Sequence, residues 1–288
     1  MALESFSPVQ LVAIRYTISG ALLLLAAKFW KAHLPSGREL LFTALFGVLT
    51  LGIGNGCLAY AEIFVPSGLA AIFVTVSPFW MVGFEALLPG GVRLHGPTIA
   101  GMMVGLLGTV LLVGPSAIQH GFGGPILAGF LLLQLGSCGW AFGSILHRRY
   151  PARAHPVVSG AVQQLATGLV YAVPALTLRS PPIHWSGRGS VAVIYLVLFG
   201  SIVGYSAYLY ALEHLPVSIV TIYNYINPVV AVFLGWLFYR EPFGLRELAA
   251  MGIIFTGVAL VKRFSHPMKV VQPAAREAQI ADSCSSGH

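Results

Sequence analysis

The sequence is short of charged residues. Only 9% of its 288 residues are Asp, Glu, Lys or Arg, whereas 57% are hydrophobic. A soluble domain carries roughly 25% charged residues, because its surface must face water. A chain this apolar has to place most of its surface against lipid. The composition therefore predicts an all-α polytopic membrane protein and excludes a soluble globular domain.

Residues and motifs typical of catalytic and metal sites are scarce. The single aspartate, Asp282, lies in a polar C-terminal tail. The patterns H-E-x-x-H and G-x-S-x-G and the phosphate-binding P-loop are absent. We interpret the histidines as residues of loops and tails, and the three cysteines show no disulfide framework. We therefore expect neither an enzyme nor a bound cofactor or metal.

The positive net charge does not indicate a nucleic-acid partner. Lys and Arg number 16 against nine acidic residues, but they stand in short connections between apolar runs. The richer set of connections contains Lys28, Lys31, Arg38, Arg93, Arg148, Arg149, Arg153, Lys262, Arg263, Lys269 and Arg276. Cytoplasmic connections carry the excess of Lys and Arg. We therefore expect a lipid bilayer as partner, no nucleic acid, and a cytoplasmic C-terminus.

Long apolar runs dominate the chain. Most are about 17–23 residues long, which is enough to cross a bilayer core. The runs are Pro8–Trp30, Leu40–Ala61, Pro66–Leu88, Pro97–Val113, Pro125–Leu146, Val157–Leu176, Val191–Leu212, Pro216–Phe238 and Leu248–Val261. They predict nine spanning helices, the last of which begins a few residues before its apolar run.

Residues 60–91 and 210–241 resemble each other, which indicates an internal duplication. A shift of 150 positions pairs Tyr60 with Tyr210, Pro66 with Pro216, and Pro78 with Pro228. We predict a first repeat of four helices over residues 1–115, a second of five over 124–263, and a disordered tail over 264–288. An odd number of helices per complete copy inverts one copy relative to the other, as in many secondary transporters.

The middle of the run Pro216–Phe238 is polar. Asn224 and Asn227 are three residues apart and share a helix face, and Pro228 frees a backbone carbonyl one turn earlier. A broken helix of this kind can form a binding site at the membrane midplane. The alternative is hydrogen bonding between helices around a tolerated proline. We predict hinges at Pro78 and Pro228 and solute contacts at both asparagines.

Four ionisable residues are further candidates. Glu85 lies inside its apolar run, where a carboxyl group suits a proton relay, or else packs as a neutral acid. Glu62 and Glu213 lie at helix ends, and Glu62 is a candidate solute contact. Arg15 is the basic residue deep in the first run. It either reaches back to the outer interface or attracts an anionic group of a solute.

Aromatic and amide side chains complete the predicted cavity. Trp140, Tyr205 and Tyr208 are candidate solute contacts through stacking and hydrogen bonding, although each is also a common packing residue. The amides considered with them are Asn55, Gln134, Gln163 and Gln164. Small residues predict close helix packing instead, at Gly101-x-x-x-Gly105 with Gly108, at Gly200-x-x-x-Gly204, and at Gly252 and Gly257.

The chain resembles the drug/metabolite transporter superfamily, in particular its EamA-type members. The residues that carry the resemblance are Arg15, Ala61-Glu62, Pro66 to Ala71, Pro78, Gly101 and Gly108 in the first half, and Ala211-Leu212, Pro216, Asn227-Pro228, Glu241 and Gly257 in the second. The resemblance implies ten helices in two inverted repeats, cytoplasmic termini, a central cavity and an inner-membrane transporter. The family's first helix has no counterpart here, and Pro89-Gly90-Gly91 stands where Glu241 would recur.

Together these features predict a secondary transporter, in particular an exporter, that moves a small organic metabolite or an amino-acid-like solute by alternating access. The sequence also allows a homodimer. The alternative from another class is a membrane subunit without transport, or an inactive shortened relative, which would have a collapsed interior.

Overall fold

The computed structural model describes residues 5–65, 70, 73–89, 91, 95–118, 124–177, 186–239 and 244–264. Within these ranges the regular structure is helical and contains no strand, which agrees with the predicted class. Five described helices are long and apolar enough to cross a membrane, judged by length and composition alone: Pro8–Phe29, Gly37–Ala61, Gly124–Arg149, Pro156–Thr177 and Gly187–His214.

The described helices overlap the predicted apolar runs, although the helix in the run Pro66–Leu88 is described only over Ser77–Leu87, and the count of nine spanning helices stays a prediction. In chain order they are α1 Pro8–Phe29, α2 Gly37–Ala61, α3 Ser77–Leu87, α4 Gly96–Ile118, α5 Gly124–Arg149, α6 Pro156–Thr177, α7 Gly187–His214, α8 Val217–Val220, α9 Tyr223–Tyr239 and α10 Leu245–Phe264. The last helix begins before its apolar run, as expected. Pro66, Glu241 and the C-terminal tail lie outside the described residues.

Two helices contain π-helical segments that the sequence did not reveal. They cover Val48–Ile53 in α2 and Leu196–Tyr205 in α7, and the two helices begin 150 positions apart. Helix α6 donates a side-chain hydrogen bond to each segment. The Tyr171 hydroxyl donates to the Gly52 carbonyl at 2.7 Å, and Gln164 Nε2 donates to the Ser201 carbonyl at 3.3 Å. These bonds satisfy backbone acceptors that would otherwise be costly to bury.

The predicted helix Pro216–Phe238 is interrupted at a point that precedes Pro228. Helix α8 ends at Val220, a turn covers residues 221–222, and α9 continues through Pro228. In the first half a turn at residues 75–76 precedes α3, and Pro78 lies in its first helical turn. Both breaks therefore lie upstream of the prolines. The hinge roles of Pro78 and Pro228 stay predictions.

Glycines allow α4 and α10 to pack backbone against backbone. A Cβ atom on Gly257 would lie 2.5 Å from the Gly105 amide nitrogen and 2.8 Å from the Gly101 carbonyl oxygen. The predicted close approach is thus confirmed for these glycines. It is wrong for Gly252, because a Cβ atom there would meet nothing within 4 Å among the described residues.

One end of the bundle collects basic side chains, and we call it the basic end. Here Arg148 donates to the Leu215 carbonyl at 2.6 Å, and Arg149 donates to the Pro89 carbonyl at 2.6 Å. These bonds bring the C-terminal ends of α5, α3 and α7 together. At the opposite end, the hydroxyl groups of Ser5 and Ser186 are 2.9 Å apart.

Candidate functional site

Two adjoining cavities lie inside the helix bundle. The larger holds about 520 Å³ and is bordered by side chains of α1, α2, α5, α7, α8 and α9. The smaller holds about 240 Å³ and shares four lining residues with it, namely Asn55, Trp140, Tyr223 and Asn227. A compartment of this size suits a small organic molecule, since ligand pockets typically span about 300–1,000 Å³.

Most of the predicted solute contacts border these cavities. Arg15, Trp140, Tyr205, Tyr208 and Asn227 line the larger cavity. Asn224, Asn227 and Trp140 line the smaller one. The structure therefore brings together residues from four different helices that the sequence could only propose one by one.

Arg15 is the charged residue on the cavity wall. No other charged side chain lines either cavity within the described part of the chain. Its Nε donates to the Ser201 hydroxyl at 2.7 Å, and its guanidinium carbon lies 4.9 Å from the centre of the Tyr16 ring. The ring and the serine hold the guanidinium in place, while its terminal amino groups have no hydrogen-bond partner among the described residues. Those groups can bind a carboxylate.

A hydrogen-bonded aromatic cluster forms another part of the wall. Trp140 Nε1 donates to the Tyr208 hydroxyl at 3.0 Å, and that hydroxyl donates to Ser144 at 2.7 Å. The rings of Trp140 and Tyr208 have centroids 5.2 Å apart, and those of Tyr205 and Tyr208 are 5.9 Å apart. This bonding fixes the rings, so the apolar surface is preorganised for the body of a solute.

The two predicted asparagines have different surroundings. Asn224 is buried, and its Nδ2 donates to the Thr221 carbonyl at 3.3 Å, which satisfies an acceptor at the helix break. Asn227 is exposed to both cavities and makes no hydrogen bond within the described residues. Its amide is thus the one of the two that is available to a solute.

Among the described residues, the glycine pair on α7 does not face the backbone of another helix, which corrects the sequence-based prediction. A Cβ atom on Gly200 would lie 2.9 Å from Nη2 of Arg15, and one on Gly204 would meet only the Phe199 carbonyl group of its own helix within 4 Å. Both glycines line the larger cavity. Their missing side chains make room for the Arg15 guanidinium and for cavity volume.

The predicted acidic candidates do not line either cavity. Glu85 is near the end of α3, where its backbone carbonyl accepts a hydrogen bond from Arg149 at 3.2 Å. Glu62 is exposed beyond the last residue of α2. The roles predicted for them, a proton site and a solute contact, stay predictions.

Sequence reasoning missed a buried polar chain that ends at the cavity wall. His147 lies in the last turn of α5 with 1% exposure, so its interpretation as a loop residue was wrong. It contacts Gln163 and Glu213. The sequence signal that could have revealed this chain was the polar pair Gln163-Gln164 within an apolar run. We predicted that both glutamines line the cavity, but both are fully buried. No group of three or more His, Cys, Asp or Glu residues forms a metal site in the described ranges.

Comparisons with known proteins agree with this architecture. The profile of the EamA-like transporter family matches residues 1–114 and 127–263. The "Uncharacterized inner membrane transporter YedA" of Escherichia coli (strain K12) is 35% identical over 287 residues, covering 96% of this chain and 90% of YedA. A "Probable terminal-alkyne amino-acid exporter" of Streptantibioticus cattleyicolor is 23% identical over 273 residues, covering 91% and 86% of the two chains.

A solved crystal structure has the same fold. It superposes with a TM-score of 0.77 at 23% identity and covers 92% of this chain and 90% of the other. At this identity the match concerns the fold and not the function.

Proposed function

This chain belongs to the EamA-like transporter family of the drug/metabolite transporter superfamily, and from that premise we propose that it is a secondary transporter that exports a small carboxylate-bearing solute. The observation that carries the proposal is the Arg15 guanidinium on the wall of a cavity of about 520 Å³, where its terminal amino groups have no hydrogen-bond partner among the described residues. An amino acid or an organic acid would place its carboxylate there and its apolar body against Trp140, Tyr205 and Tyr208. A cationic amine would meet an uncompensated positive charge.

The transport cycle that we propose is alternating access between two inverted repeats, over residues 1–115 and 124–263. Helices α2 and α7, which begin 150 positions apart, both contain a π-helical segment. Helices α1 and α6, which the same shift brings into register, pack against each other, and so do α4 and α10. Such pairing of equivalent helices is what a pseudo-twofold axis produces.

The proposed location is the inner membrane, with the basic end in the cytoplasm. YedA is named as an inner membrane transporter, and the concentration of Arg and Lys at one end supports this orientation. Export as the direction draws support from the name of the Streptantibioticus relative. The cavity favours transport over a subunit without transport, because that alternative requires a filled interior.

The test uses purified protein in liposomes and three labelled solutes with the same apolar body. L-Leucine carries both charges, 4-methyl-2-oxopentanoate keeps only the carboxylate, and 3-methylbutylamine keeps only the ammonium group. Matched sets built on phenylalanine and methionine widen the panel. We expect counter-flow of carboxylate-bearing members and none of the amines. Transport of amines alone, or of no member of any set, would overturn the proposed solute class.

Arg15→Gln tests the role of the guanidinium directly. We expect at least a tenfold loss of carboxylate transport, because a charge-assisted hydrogen bond contributes about 1.5–3 kcal/mol. Arg188→Gln, an exposed arginine at the opposite end of α7 from Glu213, is the matched control and should retain the wild-type rate. Equal rates for both variants would remove Arg15 from the site.

A further inference from the structure

A continuous chain of hydrogen bonds runs from the cavity wall to the basic end. The Tyr205 hydroxyl donates to Oε1 of Gln163. Gln163 Nε2 is 3.0 Å from Nδ1 of His147, and Nε2 of His147 is 3.1 Å from Oε1 of Glu213. Tyr205 lines the larger cavity, whereas the Glu213 side chain retains 19% exposure near the end of α7. The chain thus joins the solute compartment to one face of the membrane.

With Oε1 of Gln163 facing the Tyr205 hydroxyl, the remaining donors and acceptors of this chain follow in one order. The Gln163 amide nitrogen can only donate, so Nδ1 of His147 accepts. His147 is then neutral, carries its proton on Nε2, and donates it to the Glu213 carboxylate.

A second proton on His147 would reverse the chain. It would occupy Nδ1 and face the Gln163 amide donor, which is unfavourable. Gln163 would then turn its oxygen towards His147 and its amide nitrogen towards Tyr205. The Tyr205 hydroxyl would then accept a hydrogen bond from Gln163 instead of donating one. Its O–H group would point away from Gln163. Protonation near the membrane face therefore changes a residue of the cavity wall.

The two arginines that follow His147 in the chain donate hydrogen bonds to backbone carbonyl groups. Arg148 donates to the carbonyl oxygens of Leu212 and Leu215, and Arg149 donates to those of Glu85 and Pro89. Helix α6 brings no charged side chain to His147. The charged groups on the neighbouring elements are Arg38 and Glu39 on α2, Glu85 on α3, Arg148 and Arg149 on α5, and Arg188 and Glu213 on α7, which also carries the titratable His214. Of these, Glu213 makes the direct contact with the imidazole.

We propose that the His147–Glu213 pair is the proton-binding site of the transporter and that Gln163 and Tyr205 connect it to the solute cavity. This inference rests on the proposed transport function and replaces neither Arg15 nor the aromatic wall. Histidine is the side chain whose charge ordinarily changes between about pH 5 and 8. Positions 150 residues before Gln163 and Glu213 hold Ala13 and Ile63. The chain therefore belongs to the second half alone, and protons reach it from the basic end.

The first experiment measures the protonation state of His147 and does not require transport activity. Histidine-selective ¹⁵N labelling and NMR of the intact protein in detergent follow each imidazole between pH 5 and 8, with His147→Gln giving the assignment. We expect His147 to be the Nε2–H tautomer at pH 8 and to become doubly protonated within this range. Glu213→Gln should alter the His147 signals, because it removes the carboxylate that Nε2 of His147 contacts. A His147 that remains neutral throughout, or one that ignores Glu213→Gln, would overturn the proposal.

The second experiment measures whether solute transport depends on protonation of His147. Liposomes carry the carboxylate solute from the panel above that gives the fastest counter-flow, and exchange is measured from pH 6 to 8. We expect a change of at least about threefold in the wild type, as for a titrating histidine, and a flat profile in His147→Gln and Tyr205→Phe. The exposed neighbour His214→Gln is the matched control and should keep the wild-type profile.

The outcomes of the two experiments separate the two proposals. A wild-type profile in His147→Gln would overturn the proton site while leaving transport intact. Absence of transport in the wild type would reject the proposed function, and the NMR titration would still decide whether His147 and Glu213 bind a proton together.

Discussion

Helices α4 and α7 contain the same small-residue spacing but use it differently. Gly257 of α10 faces the backbone of Gly101 and Gly105 of α4. Gly200 and Gly204 of α7 face the larger cavity, and the atom nearest to Gly200 belongs to the Arg15 side chain. The motif removes side chains from one helix face. Whether a second helix or a solute occupies that space depends on the neighbouring elements.

The largest effect on stability is expected at the contact between α4 and α10. Gly257→Leu would drive a side chain into the Gly105 and Gly101 backbone, which cannot rotate away. We expect a loss of roughly 3 kcal/mol or more in the free energy of unfolding, seen as loss of folded protein in membranes and a lower melting temperature in detergent. Gly252→Ala on the same helix is the control and should change stability by about 1 kcal/mol at most. Equal behaviour of both variants would contradict the assignment of α4 and α10 as a close pair.

A smaller effect on stability, but a large one on transport, is expected at Gly204. A Cβ atom there would meet only the Phe199 carbonyl group within 4 Å among the described residues, and Gly204 lines the larger cavity, so a leucine side chain at this position would extend into the cavity. We expect Gly204→Leu to reach the membrane folded and to lose at least about 90% of counter-flow, since the compartment is comparable to a small solute in size. If this variant unfolds as Gly257→Leu does, the contrast between the two motifs disappears.

The smallest effect on stability and transport is expected from a substitution at Gly200. A methyl group there lies 2.9 Å from Nη2 of Arg15, which is the flexible end of a long side chain. Gly200→Ala should therefore leave the melting temperature unchanged and raise the KM for carboxylate solutes by roughly tenfold, equivalent to about 1.4 kcal/mol. Transport assays of the panel measure this change. An unaltered KM would mean that the Arg15 guanidinium does not need its present position.

Several features of the site were predictable because they depend on composition and helical spacing. Arg15, Trp140, Tyr205 and Asn227 are polar or aromatic residues within apolar runs, and such residues usually face an interior or a cavity. All four border the larger cavity. The resemblance to EamA-type transporters was also recoverable from residues scattered over both halves, and the family match confirms it.

Other features depend on contacts between distant parts of the chain. His147 follows an apolar run and precedes two arginines, so local sequence indicates a helix end in solvent. Its burial results from α6 and α7, which supply Gln163 and Glu213. The π-helical segments are a second case, because side chains of α6 satisfy the carbonyl groups that such segments leave free.

The sequence by itself determined the solvent and the element type. Nine-tenths of its residues are uncharged, and a chain in lipid must bond its backbone within each segment, so spanning helices follow from composition alone. Only the tertiary structure decided what each polar side chain faces. A helical residue points to one of several neighbours, and helix packing selects among them. The same packing turned one glycine pair into a helix contact and the other into a cavity wall.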